Sequence, residues 1–399
     1  MDALVTEWIG MMLRWTHVIA GIAWIGSSFY FIHLDLSLRK RDGLPEGVGG
    51  EAWQVHGGGF YQMRKYLVAP AEMPEELTWF KWEAYATWFS GFLLLAAVYY
   101  TSADLYLIDR GVLDLTPMTA VLISLALLAA GWIIYDLMCR SPLGRNDTLL
   151  MLVGFALLVA IAWGCTQIFS GRGAYIQIGA LVGTVMAGNV LIIIIPNQRK
   201  VVASLLAHEA PDPRLGKQAK QRSLHNNYLT LPVLFLMIGN HYPMNFATEW
   251  NWVIVAVVIV MGVSIRHFFN SQHAGKGTPW WTWGVAAAGG LMILWLNSFP
   301  VGAPAAMQTG GIETDEMFIA VEDVVLSRCA MCHAEEPAWE GITAPPLNVR
   351  LETPADILRE SSRIEAQAVL SRAMPPGNVT EMTERERHII AAWLASREG

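Results

Sequence analysis

The chain contains eight separate windows of mostly apolar residues, near 8–34, 82–101, 118–137, 147–168, 176–195, 226–243, 250–268 and 281–298. About 20 such residues are needed to span the hydrocarbon core of a bilayer as a helix, because only a helix satisfies its own backbone polar groups there. A chain of 399 residues with 54% hydrophobic and only 15% charged side chains has too little polar surface for an all-soluble reading. The pattern therefore predicts an all-α, polytopic membrane domain of about eight helices over residues 1–298. The sixth window is the least apolar, since Asn226, Asn227, Asn240 and His241 flank its core.

Charge gives the orientation independently, because short cytoplasmic loops retain Lys and Arg. With the N-terminus outside, the loops 35–81, 138–146, 196–225 and 266–280 face the cytoplasm and carry 16 basic residues, while the opposite loops hold only Arg110 and Arg172. An even number of crossings returns the chain to the outside after residue 298. No cleavable signal pattern precedes the first window, which is expected to act as a retained export signal. The formal charge of −7 and the lack of a basic patch interleaved with aromatics argue against nucleic acid as a partner. The expected surroundings are the bilayer of a bacterial inner membrane, crossed many times.

Beyond a linker expected over 299–320, residues 321–399 carry a different signal. Cys329-Ala330-Met331-Cys332-His333 is a c-type haem attachment sequence: two thiols at this spacing reach the two vinyl groups, and the next residue directs an imidazole at the iron. A zinc site would require two further ligands, and this segment holds no other cysteine and only His388. Met374 opens Met-Pro-Pro-Gly, an extended loop that cannot turn helical and could hold a thioether against the iron. Thr383 and Glu386 form a possible capping box before Ile389, Ile390, Trp393 and Leu394, a helical face expected to pack on the helix that bears the haem motif. The segment reads as a small class I cytochrome c domain with one covalent haem c, liganded by His333 and Met374. Its expected position is the periplasmic side, together with the N-terminus.

A tethered cytochrome needs one anchor, so eight crossings imply a task of their own, and polar residues within them are its markers. Arg14 and His17 lie in the outer half of the first window, Thr166 and Gln167 at the outer end of the fourth, Asn240, His241 and Tyr242 at the outer end of the sixth. If they converge, Arg14 orients a planar anion, Gln167 pairs with an amide-like edge, and His17 or His241 accepts a proton. Structural alternatives stand beside these: Arg14 snorkelling to headgroups, Gln167 as glue between helices, and the two histidines as hydrogen-bonding groups or ligands of a second, b-type haem. A second polar group, His33, Glu83, His225, Asn226, Asn227, Arg266 and His267, lies toward the cytoplasmic side and reads as helix support, a second haem face or a proton path.

These segments together resemble the bacterial integral membrane urate oxidases that carry a C-terminal cytochrome c domain. The resemblance rests on Arg14-Trp15-Thr16-His17-Val18-Ile19-Ala20-Gly21, His225-Asn226-Asn227-Tyr228 and Gly239-Asn240-His241-Tyr242-Pro243, combined with the Cys329–His333 and Met374–Gly377 motifs. It implies oxidation of urate to 5-hydroxyisourate without hydrogen peroxide, electrons passing to the fused haem and onward to a soluble cytochrome c or a terminal oxidase. The competing reading is a respiratory membrane subunit that oxidises quinol or another small donor through the same haem.

Overall fold

The computed structural model describes residues 3–68, 73, 76–298 and 314–398. Each of the eight apolar windows falls on a helical run. These are α1 (Ala3–Ser37), α2 (Trp82–Leu95, continuing through a π-helical turn, Ala96–Tyr100), α4 (Pro117–Arg140), α5 (Asp147–Thr166), α6 (Gly171–Gly188, running through a π segment, Asn189–Ile194, into α7, Ile195–Leu206), α8 (Pro213–Gly239), α10 (Asn251–His273) and α11 (Trp281–Asn297). Short helices α3 (Ala103–Tyr106) and α9 (Pro243–Phe246) lie between them. Among the described residues, five runs are long and apolar enough to cross a membrane: Glu7–Ser37, Pro117–Arg140, Asp147–Thr166, Gly171–Leu206 and Asn251–His273.

The helix starts are encoded locally. Thr116 accepts a hydrogen bond from the Thr119 amide with Pro117 in the first turn of α4, and Asn146 accepts from Leu149 at the start of α5. At α6, Ser170 Oγ accepts from the Gly173 amide and donates to the Tyr106 carbonyl at 2.8 Å, tying this helix entry to α3. The main core lies where these elements meet, around Leu107, Ile108, Phe169, Tyr175, Ile178 and Leu236.

The expectation of an all-α chain needs one correction. Strands β1 (Val48–His56) and β2 (Gly59–Tyr66) form an antiparallel hairpin in the loop after α1. Gly57 and Gly58 have φ of +60° and +79°, the left-handed pair that a two-residue hairpin turn requires, so the Gly-Gly step between two strand-compatible runs was the available signal. Glu51 is its hub, accepting from Trp53 Nε1 at 3.0 Å and Gln62 Nε2 at 2.6 Å. Helix dominates the remainder of the described chain.

The C-terminal segment builds a separate core. Helix α12 (Thr314–Arg328) begins inside the stretch expected to be linker, because Met317 and Phe318 continue the apolar face of Val321, Val324 and Val325; residues 299–313 lie outside the described set. After it come α13 (Ala330–His333), α14 (Pro354–Arg359), α15 (Ser361–Ile364) and α16 (Glu384–Glu398). Trp393 and Ile390 on α16 are fully buried, and the Trp393 ring lies 5.4 Å from that of Phe318, so α16 packs on α12 as the sequence periodicity predicts. The capping box also forms: Thr383 N and Oγ1 donate to Glu386 Oε2, and the Glu386 amide donates back to Thr383 Oγ1.

Candidate functional site

Helices α1, α2, α6 and α8 surround an inner cavity of about 500 Å³ that contains Arg14, His17 and His241. Three of the four expected pocket residues are therefore brought together from opposite ends of the N-terminal bundle's sequence. His17 is fixed by a hydrogen bond from Nδ1 to the Thr87 carbonyl at 2.9 Å, with Ser90 Oγ at 3.2 Å. That contact places the proton on Nδ1 and leaves Nε2 as the basic nitrogen. The lining also includes Thr184 and Asn226 but no carboxylate, against two arginines.

Gln167 is not part of this arrangement. It caps the C-terminal end of α5, its amide nitrogen donates to Thr166 Oγ1 at 3.2 Å, and it lines neither this cavity nor the next. The reason is the tight turn Gln167–Ser170 that carries α5 into α6 and turns its side chain outward. Two residues that the sequence reading did not select take more prominent places. Arg172, in the first turn of α6, lies over the Tyr106 ring at 4.8 Å and the Tyr99 ring at 5.9 Å. Tyr99 is presented by the π-helical turn, a widening that often marks functional sites, and is buried. Arg172 Nε and the Tyr99 hydroxyl are buried without hydrogen-bond partners among the described residues.

A second, outer cavity of about 1080 Å³ lies between the bundle and the C-terminal unit. Cys329, Cys332, His333 and Met374 all line it, and so do Arg172, Asn240 and His241, which also line the inner cavity. The two chambers thus share a wall. The Cys329–His333 segment folds as one tight turn, with the amides of Cys332 and His333 donating to the Cys329 carbonyl. His333 Nδ1 is bonded to the Val349 carbonyl at 2.9 Å, which sets the tautomer and leaves Nε2 free to ligate a metal. Burial pushes the Cys329 thiol up to about 12 and raises that of Cys332 as well. These four residues could hold a haem. Among the described residues no cluster of three or more His, Cys, Asp or Glu could hold a metal ion, a test that a haem, with two protein ligands, does not need to meet.

The methionine loop is held from behind by Arg387, a buried side chain of α16 that donates to the Met374 carbonyl at 2.9 Å and to the Ala368 carbonyl. On its other side the loop meets the bundle. Gly377 has φ +56°, and a Cβ there would lie 2.3 Å from the Ile108 carbonyl oxygen, so the close approach of loop to α3 requires glycine.

The second polar group singled out in the sequence divides into two networks. Asn226 donates to the Met186 carbonyl and accepts from Asn189, which also bonds Tyr135 and accepts from Arg222; Arg222 pairs with Asp136 at 2.7 Å and Tyr135 contacts His225. Separately, Arg266 and Asn270 both donate to Asn227 Oδ1, while His33 stacks edge-on to His273 at 4.2 Å. The first network is densely paired in the manner of a helix support, whereas Asn227 Nδ2 and His273 Nδ1 of the second are buried without partners among the described residues; of these groups Asn226 reaches the inner cavity.

A comparison with curated proteins gives no match, and neither does one with solved structures. A protein-family model, described as urate oxidase N-terminal, matches residues 3–297, from the first helix of the bundle to its last. With a match over most of its length, the chain belongs to the urate oxidase N-terminal family.

Proposed function

We propose that this protein is an integral membrane oxidase that converts urate to 5-hydroxyisourate and delivers the electrons to a haem c in its own C-terminal domain, without forming hydrogen peroxide. The observation that carries the reading is the shared wall: Arg172, Asn240 and His241 belong both to the inner cavity and to the chamber that holds the haem-attachment residues. Family membership supports urate as the substrate. Membrane insertion is supported by the wide apolar surface of the bundle, with Trp15, Ile22, Met118, Leu122, Leu291 and Leu294 all more than half exposed, a surface too apolar for water. The basic loops 35–81 and 196–225 orient the bundle with the C-terminal domain on the periplasmic side of a bacterial inner membrane.

In this reading Cys329 and Cys332 would carry a haem through thioether bonds and His333 and Met374 would ligate its iron, and the group would supply a one-electron acceptor of raised potential. The rest of the chemistry belongs to the inner cavity. Arg14 orients the urate anion, His17 Nε2 is available to take a proton because Nδ1 is committed to Thr87, and His241 stands at the exit toward the outer chamber. Urate loses two electrons and two protons in total, and water adds its oxygen at C5. A soluble cytochrome c or a terminal oxidase receives the electrons in turn. His17 and His241 are also the two imidazoles that a second, b-type haem would use.

Anaerobic addition of urate to purified membranes is expected to reduce the c-type haem α-band with appearance of 5-hydroxyisourate. Reduction by quinol with no response to urate would overturn the assignment and favour a respiratory quinol-oxidising subunit. A separate b-type band in the same spectrum would report the second haem. Met374→Ala is expected to keep the covalent haem while lowering its potential; an unchanged potential excludes Met374 as ligand.

A further inference from the structure

We infer that Arg172 acts beside Arg14 to select the substrate's negative charge, holding a planar monoanion at the junction of the two cavities. The inference rests on the urate oxidase reading and deepens it. Arg172 makes no ion pair among the described residues, unlike Arg222, which is bound to Asp136 at 2.7 Å, and its Nε is buried without a partner. A buried guanidinium N–H without a partner is a donor that a ligand acceptor can fill, and an anion matches it in charge as well. The inner cavity lining includes Arg14 and Arg172 but no Asp or Glu, and although Asp109, Glu249 and Glu360 line the outer chamber that Arg172 also borders, none of them pairs with it.

The neighbouring rings define the shape of that anion. With Tyr106 at 4.8 Å and Tyr99 at 5.9 Å, the guanidinium is covered by aromatic surface, so its remaining N–H edge serves a ligand. The Tyr99 hydroxyl, buried and equally unpartnered, adds a hydrogen-bonding group beside it. Apolar side chains such as Val98 and Ile176 form most of the remaining wall. A flat heteroaromatic ring with a delocalised negative charge and several polar edge atoms satisfies all of these at once. Because Arg172 also lines the outer chamber, a haem propionate is the other carboxylate-like partner within the same chemistry.

Full-length, haem-loaded protein carrying Arg172→Gln or Arg172→Lys separates the two. Arg172→Gln is expected to raise the KM for urate roughly 10- to 100-fold, the effect of removing a hydrogen bond to a charged group, with kcat changed far less. The haem c midpoint potential and its reduction by dithionite should stay as in the parent, which also shows that the variant is folded. Arg172→Lys is expected to recover part of the loss. In competition against urate, the parent should favour anionic over neutral purines and Arg172→Gln should lose that preference. An unchanged KM with intact urate oxidation overturns the role of Arg172 while leaving the oxidase reading standing. A shifted haem potential with an unchanged KM overturns it in favour of a propionate contact. A parent protein that urate neither binds nor reduces overturns both.

Discussion

Glu386 shows how much one side chain can fix in the C-terminal unit. Burial works to raise its pKa, but hydrogen bonds from Thr383 and from Arg328, which also pairs with it at 2.9 Å, outweigh that and hold it below the usual 4.5. A carboxylate depressed in the folded state adds stability that is present above the unfolded value and is lost as pH falls through the folded one. Thermal unfolding of the haem-loaded protein should therefore weaken below about pH 4.5. Glu386→Gln should flatten that acid limb and cost up to about 1 kcal/mol at neutral pH, because Gln can keep the capping box but loses the ion pair with Arg328. An acid limb identical in the two proteins would falsify this assignment. The capping box was legible in the sequence because its partners stand three residues apart. Arg387 and Arg172 were not legible: the first serves carbonyls of Ala368 and Met374 and the second lies over Tyr99 and Tyr106, contacts that no local spacing announces. Gln167 misled for the same reason, since polarity at a helix end says nothing about which way a cap residue turns.

At the scale of elements, the places where regular geometry fails are the places where polar groups enter the bundle. The π turn at Ala96–Tyr100 presents Tyr99, and the π segment at Asn189–Ile194 begins with the asparagine that bridges Asn226, Tyr135 and Arg222. A π turn inserts one extra residue into an apolar helix, and hydropathy, which fixed all eight helical runs, is blind to it. The hairpin was within reach of sequence, through Gly57-Gly58, but a basic loop between two strong apolar windows draws attention to charge and away from turn chemistry. The methionine loop is the element on which the two units meet. Gly377→Ala places a Cβ against the Ile108 carbonyl and costs about 1–2 kcal/mol in left-handed backbone before any clash is counted. The expected result is slower reduction of haem by urate with the full haem band still reducible by dithionite; a rate equal to the parent's would show that this contact does not seat the domain.

Among the described residues, a core of the bundle centred on Leu107, Tyr175 and Leu236 is separate from the C-terminal core around Val325, Ile390 and Trp393, and Ala373 of the methionine loop packs against the first. Window length was enough to locate the eight helical runs, because apolar length follows from the chain's solvent preferences. Helix neighbours were not readable, since an apolar face in lipid has no preferred partner until side-chain shapes meet, and so the convergence of Arg14, His17 and His241 emerged only in three dimensions. The seat made by Gly377 against Ile108 has a kinetic corollary. In the proposed oxidase, donor cavity and acceptor belong to one chain, so they would meet at an effective concentration fixed by the tether and not by the amount of enzyme in the vessel. Diluting the purified protein roughly a hundredfold should leave the first-order rate constant for urate-driven haem reduction unchanged, while onward transfer to a soluble acceptor diluted with it slows in proportion.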